Sequence, residues 1–470
     1  MDRRYTRRAA LGILAGGLAG CGSAPRETAT GGEETASGGS TVGTTAEDDD
    51  GGGGLFSSTD TVVQPEYDTS LDHDVTAWDG YDTSWEPPTD APGEVEVETL
   101  VENLEIAWDI AFTPNGEAFV TERTGRLLRY REGEVVNVTQ PTDAIDAGSI
   151  PPGSDESSWW VKGGEGGTLG TTVHPNYPDV PLVYVYYTIK VGPEEKRNRV
   201  AYFDVSADDP GRHYRVLAEL PAGKFHNGGR ITFGPDNYLW VTTGETGTPQ
   251  KSQDPDWLGG KILRLTPEGE PAPDNPDIDG GDPRVYTWGH RNPQGIVWLP
   301  DGTAVINEHG GGPDEVNVLT PGANYGWPTA RQPEEYRNND FHVPVTSTVF
   351  EETWAPSGSL FYTGDAVPSW QNRMLVGCLA SQEVTTVTFT RPDGELPPLG
   401  DTGTRHDADW LDDRFTATTH DRLTDVLGRV RHLEQGPDGE LYAVTSNRDG
   451  RAGEQFPTER DDRLVRLRPK

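Results

Sequence analysis

A unit of strand, polar turn and strand recurs six times along this chain, and no other feature limits its fold so strongly. The copies are AFTPNGEAFVTE around Pro114, TVHPNYPDVPLVYVYY around Pro175, TFGPDNYLWVTT around Pro235, VWLPDGTAVINE around Pro300, LFYTGDAVPSWQNRMLVG around Gly364 and EQGPDGELYAVTS around Pro437. β-Branched and aromatic residues flank each break, and Pro, Asp, Asn and Gly supply the backbone angles of a tight turn. The intervals of about 60 to 75 residues leave room for a second hairpin and long loops in each repeat. Alternating Arg and apolar residues in GRLLRYR, GKILRLT and DRLVRLR read as the closing strands of repeats. Helical periodicity is almost absent. Repeats of this kind bury their apolar faces only against one another, and even spacing favours radial closure over a sandwich or barrel array. The expected fold is therefore all-β: a six-bladed β-propeller with long inter-strand loops over residues 94–470.

The residues before the repeats read differently. Thr6-Arg7-Arg8-Ala9-Ala10-Leu11 and a short Gly/Ala/Leu run precede Leu18-Ala19-Gly20-Cys21, the pattern of a twin-arginine export signal ending in a lipobox. Residues 1–21 are thus expected to direct export and to leave Cys21 lipidated on the outer face of the cytoplasmic membrane. The apolar run is too short to span a bilayer, so membrane attachment rests on that lipid anchor. Residues 22–54, rich in Gly, Ser, Thr and acid, cannot bury a core and read as a disordered stalk. Residues 55–93 form a polar extension whose Trp78, Tyr81 and Trp85 could dock on the domain.

Charge narrows the function further. With 39 Lys+Arg against 77 Asp+Glu the chain carries a net −38, which excludes nucleic acid and anionic lipid surfaces as partners. An acidic, lysine-poor surface suits very high salt, where screening removes self-repulsion, and the chain reads as halophilic. Cys378, in the apolar run MLVGCL, is expected to be a buried small hydrophobe rather than a nucleophile.

Loops rich in glycine and polar residues precede the repeats: WVKGGEGGTLG, GKFHNGGR, TWGHRNPQG, ETWAPSG and GRVRH. In a propeller such loops meet at the mouth of the central channel. Five blades contributing one each is more than turn formation requires. In KFHNGGR, glycines after His226 allow close backbone approach, and imidazole is suited to moving protons near neutrality.

HNGGRITFGPDNYLW, GHRNPQG at 289–295 and NYGWP at 324–328 resemble the soluble pyrroloquinoline-quinone (PQQ)-dependent glucose dehydrogenases, with the aldose and sorbosone dehydrogenases. The resemblance covers about residues 94–467. It implies PQQ and Ca2+ as cofactors, an aldose sugar as substrate, an external electron acceptor, and oxidation at C1 to the lactone. His226 matches the general base that takes the anomeric hydroxyl proton. Arg291 and Asn292 match residues that hold the quinone oxygens, Arg291 also stabilising the reduced anion. Arg429 and Arg431, two apart on a strand and so on one face, match the pair that grips cofactor carboxylates. Glu165 and Thr353 align with further cofactor contacts, and Glu245 replaces an aspartate near the base. Gly310 and Gly311 lie where backbone carbonyls bind calcium beside the quinone. Asp314, Glu315 and Tyr325 match a second, structural calcium site.

Three departures stand out. Ala380 follows Leu379 where the family has a lysine, which removes a charge-assisted bond of about 1.5–3 kcal/mol. Residues 310–313 read Gly-Gly-Gly-Pro, and Phe225 precedes the base. A surface-anchored propeller that binds carbohydrate or a partner without redox activity is the alternative function. A lactone-hydrolysing metallo-propeller would need Glu/Asn/Asp ligands facing the channel, a set this sequence does not offer.

Overall fold

A computed structural model of the chain describes residues 67–145, 164–192, 195–211, 213–452 and 455–470. The export signal, Cys21, the stalk and the first part of the extension lie outside these residues. Each repeat turn joins the first two strands of a four-stranded antiparallel blade. The first blade comprises Ala107–Phe112, Ala118–Glu122, Leu127–Arg131 and Glu134–Thr139. The second comprises Thr168–Val173, Leu182–Lys190, Lys196–Asp204 and His213–Pro221. Ile231–Phe233, Leu239–Thr243, Lys261–Leu265 and Val285–Trp288 make the third, and Pro293–Trp298, Ala304–Glu308, Glu315–Val318 and Thr346–Ser347 the fourth. The fifth holds Pro356–Tyr362, Arg373–Cys378, Glu383–Thr390 and Thr416–Arg422, with Gly403–His406 added at its outer edge.

The sixth blade closes the ring. Val430–Gln435, Leu441–Thr445 and Leu464–Pro469 pair in order, and its outer strand is Val95–Val101, from the other end of the described chain. The register places Val97 opposite Leu467 and Glu98 opposite Arg466. The first strands of successive blades pack side by side around the axis, the sixth returning to the first. This is the expected six-bladed propeller. One detail is corrected: the Arg–apolar strands Leu127–Arg131, Lys261–Leu265 and Leu464–Pro469 are third strands, each covered by a fourth. Outermost strands such as Glu134–Thr139 are half exposed and polar, and carry little periodic signal.

The core lies between neighbouring blades. Tyr184, Tyr186 and Leu217 of the second blade meet Ile231 and Leu239 of the third, and Val305 and Val316 of the fourth meet Val376 and Phe389 of the fifth. Cys378 is fully buried there, its thiol pushed up in pKa by burial, in keeping with a packing role. Trp85 of the extension docks edge-on against Phe361 at 5.5 Å, and Trp370 Nε1 donates to the Gly93 carbonyl at 2.8 Å. Among the described residues the α-helical content is the short Pro333–Arg337, and no helix is long and apolar enough to cross a membrane.

Candidate active site

Within each blade the first strand starts, and the second ends, at the same rim of the central channel. Residues from those points line a cavity of about 250 Å³. Arg123 comes from the first blade and Glu165 from the approach to the second. Asn292, Gln294 and His309 belong to the fourth blade, Thr353, Ala355, Leu379 and Ala380 to the fifth, and Arg429, Arg431 and Arg451 to the sixth. Residues more than 300 positions apart thus share one wall, as the loop pattern predicted.

His226 stands at the edge of this cavity, held from two sides. Its backbone is left-handed, with φ at 56°, and its N–H donates to Glu165 Oε2 at 2.8 Å. On the other side its Nδ1 contacts the carboxylate of Glu245, which is buried. That bond leaves Nε2 as the ring nitrogen turned to other partners, the arrangement of an oriented base. Glycine permits the geometry: a Cβ on Gly244 would lie 2.1 Å from the His226 carbonyl oxygen, and Gly228 has φ at 61°. Glu245 is tied to the neighbouring blade, its N–H donating to the Arg291 carbonyl at 2.8 Å. Asn292, whose side-chain oxygen accepts from Gly228 N–H at 3.0 Å, braces the same turn. Glu165 lines the cavity, and its oxygens serve His226 N–H and Arg451, the latter at 3.0 Å. Burial pushes its carboxyl up, but Arg451, His226 and the N–H bond outweigh this and hold it at about 2.

The sixth blade supplies a guanidinium cluster. Arg429 bonds Asp449 through Nε at 3.0 Å and Nη2 at 2.9 Å, and gives Nη1 to the Leu379 carbonyl at 2.9 Å. Arg431 Nη2 lies 3.6 Å from Asp449, while its Nε is buried without a hydrogen-bond partner among the described residues. Burial draws Arg431 down to about 9 and Arg123 to about 10, and Asp449, buried among three arginines, is held below the usual carboxylate range. Four guanidinium groups against Glu165 and Asp449 make this hollow locally positive in a chain of net charge −38. Arg291 lies at the rim, donating Nη1 to the His309 carbonyl at 2.7 Å and stacking over Trp327 at 5.3 Å.

The expected metal residues fall beside this site and divide in two. Asp314 is a saturated brace. Oδ1 accepts from His309 Nδ1 at 2.8 Å and Gly310 N–H at 2.9 Å, and Oδ2 from Thr353 Oγ1 at 2.7 Å, Trp354 N–H at 2.7 Å and Ala355 N–H at 3.0 Å. Five donors thus occupy both oxygens of Asp314, and Thr353 spends its hydroxyl on the same carboxylate. Tyr325 is likewise used internally, donating to the Val318 carbonyl at 2.9 Å and accepting from Thr320 N–H at 3.0 Å. Glu315 is different. It and Glu308 face a cavity of about 10 Å³, enough for one small occupant. Burial, then Glu308, raises Glu315 to about 8. Gly310 borders this region, with Arg331 Nη2 3.4 Å from its carbonyl, and Gly311 lies against the Arg291 guanidinium. Among the described residues no three His, Cys, Asp or Glu side chains converge as a metal cluster.

Arg123, Gln294, His309, Asp449 and Arg451 were not among the sequence-derived candidates. The TER after the strand around Val120 and the NRDGR after Thr445 occupy the same place in their blades, the end of the second strand, and that equivalence was the available signal.

A family profile described as Glucose / Sorbosone dehydrogenase matches residues 104–454. Aldose sugar dehydrogenase YliI of Escherichia coli (strain K12) is 31% identical over 382 residues, covering 77% of this chain and 92% of that protein. Among solved structures, a putative oxidoreductase (glucose dehydrogenase) of Thermus thermophilus is similar at 35% identity and a TM-score of 0.64, covering 79% of this chain and 99% of that one. The PQQ-bound aldose sugar dehydrogenase of Streptomyces coelicolor is similar at 30% identity and a TM-score of 0.62, over 82% and 99%. With His226, the guanidinium hollow and the propeller already in place, these matches establish that the chain belongs to the glucose/sorbosone dehydrogenase family.

Proposed function

We propose that this chain is an exported quinoprotein that oxidises an aldose at C1 to the lactone, using pyrroloquinoline quinone and calcium. The observation that carries the proposal is the meeting of an oriented imidazole, His226 on Glu245, with a hollow walled by four arginines in a strongly acidic protein. The residues fit a tricarboxylated planar guest: Arg431 Nε is a buried donor without a partner, and Ala380 leaves room in the wall. When bound, the quinone supplies a two-electron acceptor for the hydride of the substrate carbon, with calcium polarising its carbonyl as a Lewis acid. Arg429, Arg431 and Arg123 would hold its carboxylates, and Asn292 and Arg291 its carbonyl side. Calcium would draw on the carbonyls of Gly310 and Gly311 and, separately, on Glu315 and Glu308 around the small cavity.

The chain's own contribution is orientation and proton handling. Glu245 fixes Nδ1 of His226, so Nε2 receives the proton of the anomeric hydroxyl. The left-handed turn at His226, tied by Glu165, keeps the imidazole at the mouth without a search through rotamers. Arg291 places a permanent positive charge where negative charge develops.

The test is dye reduction by purified chain reconstituted with calcium and the quinone in molar salt, with glucose and other aldoses as donors. Sugar-dependent reduction that disappears in His226→Ala is the expected result; none at saturating cofactor overturns the proposal. Ala380, in place of the family's lysine, favours a second reading, a carbohydrate-binding propeller without redox activity. Calorimetric sugar binding with no quinone affinity would select it.

A further inference from the structure

The first strands of the blades run away from the guanidinium hollow and end at a second cavity of about 210 Å³ on the opposite side of the ring. Asp109, Arg230, Ser359, His432 and Glu434 form its polar part. Phe233, Trp298 and Phe361 form its walls, with Trp78 contributed by the segment before the ring. None of these side chains serves the site described above.

The polar part is incompletely bonded. Asp109 accepts Thr171 N–H at 2.9 Å and pairs with Arg230, and His432 Nε2 lies 3.3 Å from Asp109 and 3.1 Å from Glu434. Yet Arg230 Nη2, His432 Nδ1 and Ser359 Oγ are all buried without a hydrogen-bond partner among the described residues. These three converge on one cavity, where a polar guest would complete them. Burial, then Asp109, raises Glu434 to about 8, so near neutrality its carboxyl can donate as well as accept.

The chemistry of the guest follows from what surrounds it. An organic cation would meet Arg230, and an anion would meet Asp109 and Glu434. A neutral polyol suits both: its hydroxyls accept from Arg230 and donate to Glu434, while its C–H faces lie on indole and phenyl rings. The volume is below that of pockets for drug-sized ligands, which limits the guest to about one sugar ring. We propose that this cavity is a second ligand site, separate from the reaction site, for a neutral polyol of monosaccharide size.

D-Sorbitol is the discriminating probe, because an alditol has no anomeric hydroxyl to engage the oxidising site. Isothermal titration calorimetry of the full chain should show a sorbitol binding event. Glu434→Gln and Trp78→Ala should each weaken it by about three- to tenfold, the loss of one carboxyl hydrogen bond or one ring face, and His226→Ala should leave it unchanged. Trp78 lies outside the ring, so its variant reports even if Glu434→Gln fails to fold. The proposal is overturned by the absence of sorbitol heat, by a response lost in His226→Ala but kept in both other variants, or by methylammonium or acetate binding there in preference to sorbitol.

Discussion

At the scale of single residues, His226, the proposed base, is the most legible part of the site and its support the least. His226 could be picked out because glycines beside it announce close backbone approach, and the structure shows Gly228 and Gly244 packed against neighbouring backbone. Glu245 was recognisable only as a neighbour; its bond to Nδ1 needed coordinates. His226→Ala should lower kcat by about 10²–10⁴-fold, the usual contribution of a positioned base. Glu245→Gln should lower kcat by less, with KM nearly unchanged, since it disturbs orientation and not binding; steady-state kinetics with saturating cofactor separates the two. Arg431 joins a network with Asp449 that no local pattern could reveal, because the pair is a product of strand register and a loop further along the chain. Arg431→Met should weaken quinone binding by about tenfold or more, seen as a shifted titration midpoint, since a charge-assisted bond is worth about 1.5–3 kcal/mol. Asp314 entered through the resemblance alone, and its five donors, from His309, Gly310, Thr353, Trp354 and Ala355, are set by how two loops meet, which no local pattern shows.

At the scale of elements, the paired turns gave away the inner half of every blade, where apolar side chains alternate against both neighbours. Outer strands were hidden because their faces are half exposed. The joint between Val95–Val101 and Leu464–Pro469 illustrates this: the two strands are more than 360 residues apart and share only alternation. Arg466 there donates Nη2 to Glu98 at 2.8 Å and Nη1 to Glu440 at 2.6 Å. A double-mutant cycle of Glu98→Gln and Arg466→Met should give a coupling of at most about 1 kcal/mol that shrinks in molar salt, whereas Val101→Ala should cost about 2 kcal/mol whatever the salt. Asp462 sits under the same joint, accepting Ile106 N–H at 3.0 Å. Burial raises its pKa to about 7. The folded form therefore holds a proton that the unfolded chain releases near pH 4, and the associated stability declines as pH rises from about 4 through 7. Asp462→Asn should flatten the melting temperature across that interval.

At the scale of the whole molecule, charge and cavities oppose each other. A net −38 surface surrounds a hollow with four guanidinium groups, so the chain repels itself while attracting a polyanion to one point. We propose a halophilic source on the first ground: the melting temperature should rise between low and molar NaCl, and greater stability in low salt would refute this. The proposed lipid anchor is checked independently, by a mature N-terminus at a diacylated Cys21 in intact-mass measurement.

The order in which the ring is completed has a bearing on how the enzyme is made. Arg429, Arg431, Asp449 and Arg451 lie in the last blade, and that blade is sealed by Val95–Val101, which must wait for its partner. A ribosome-bound chain short of this blade has neither the anion trap nor a shut circle. Loading therefore belongs to the finished apoprotein; under the export proposed above, the polypeptide would be made in one place and meet the proposed quinone in another.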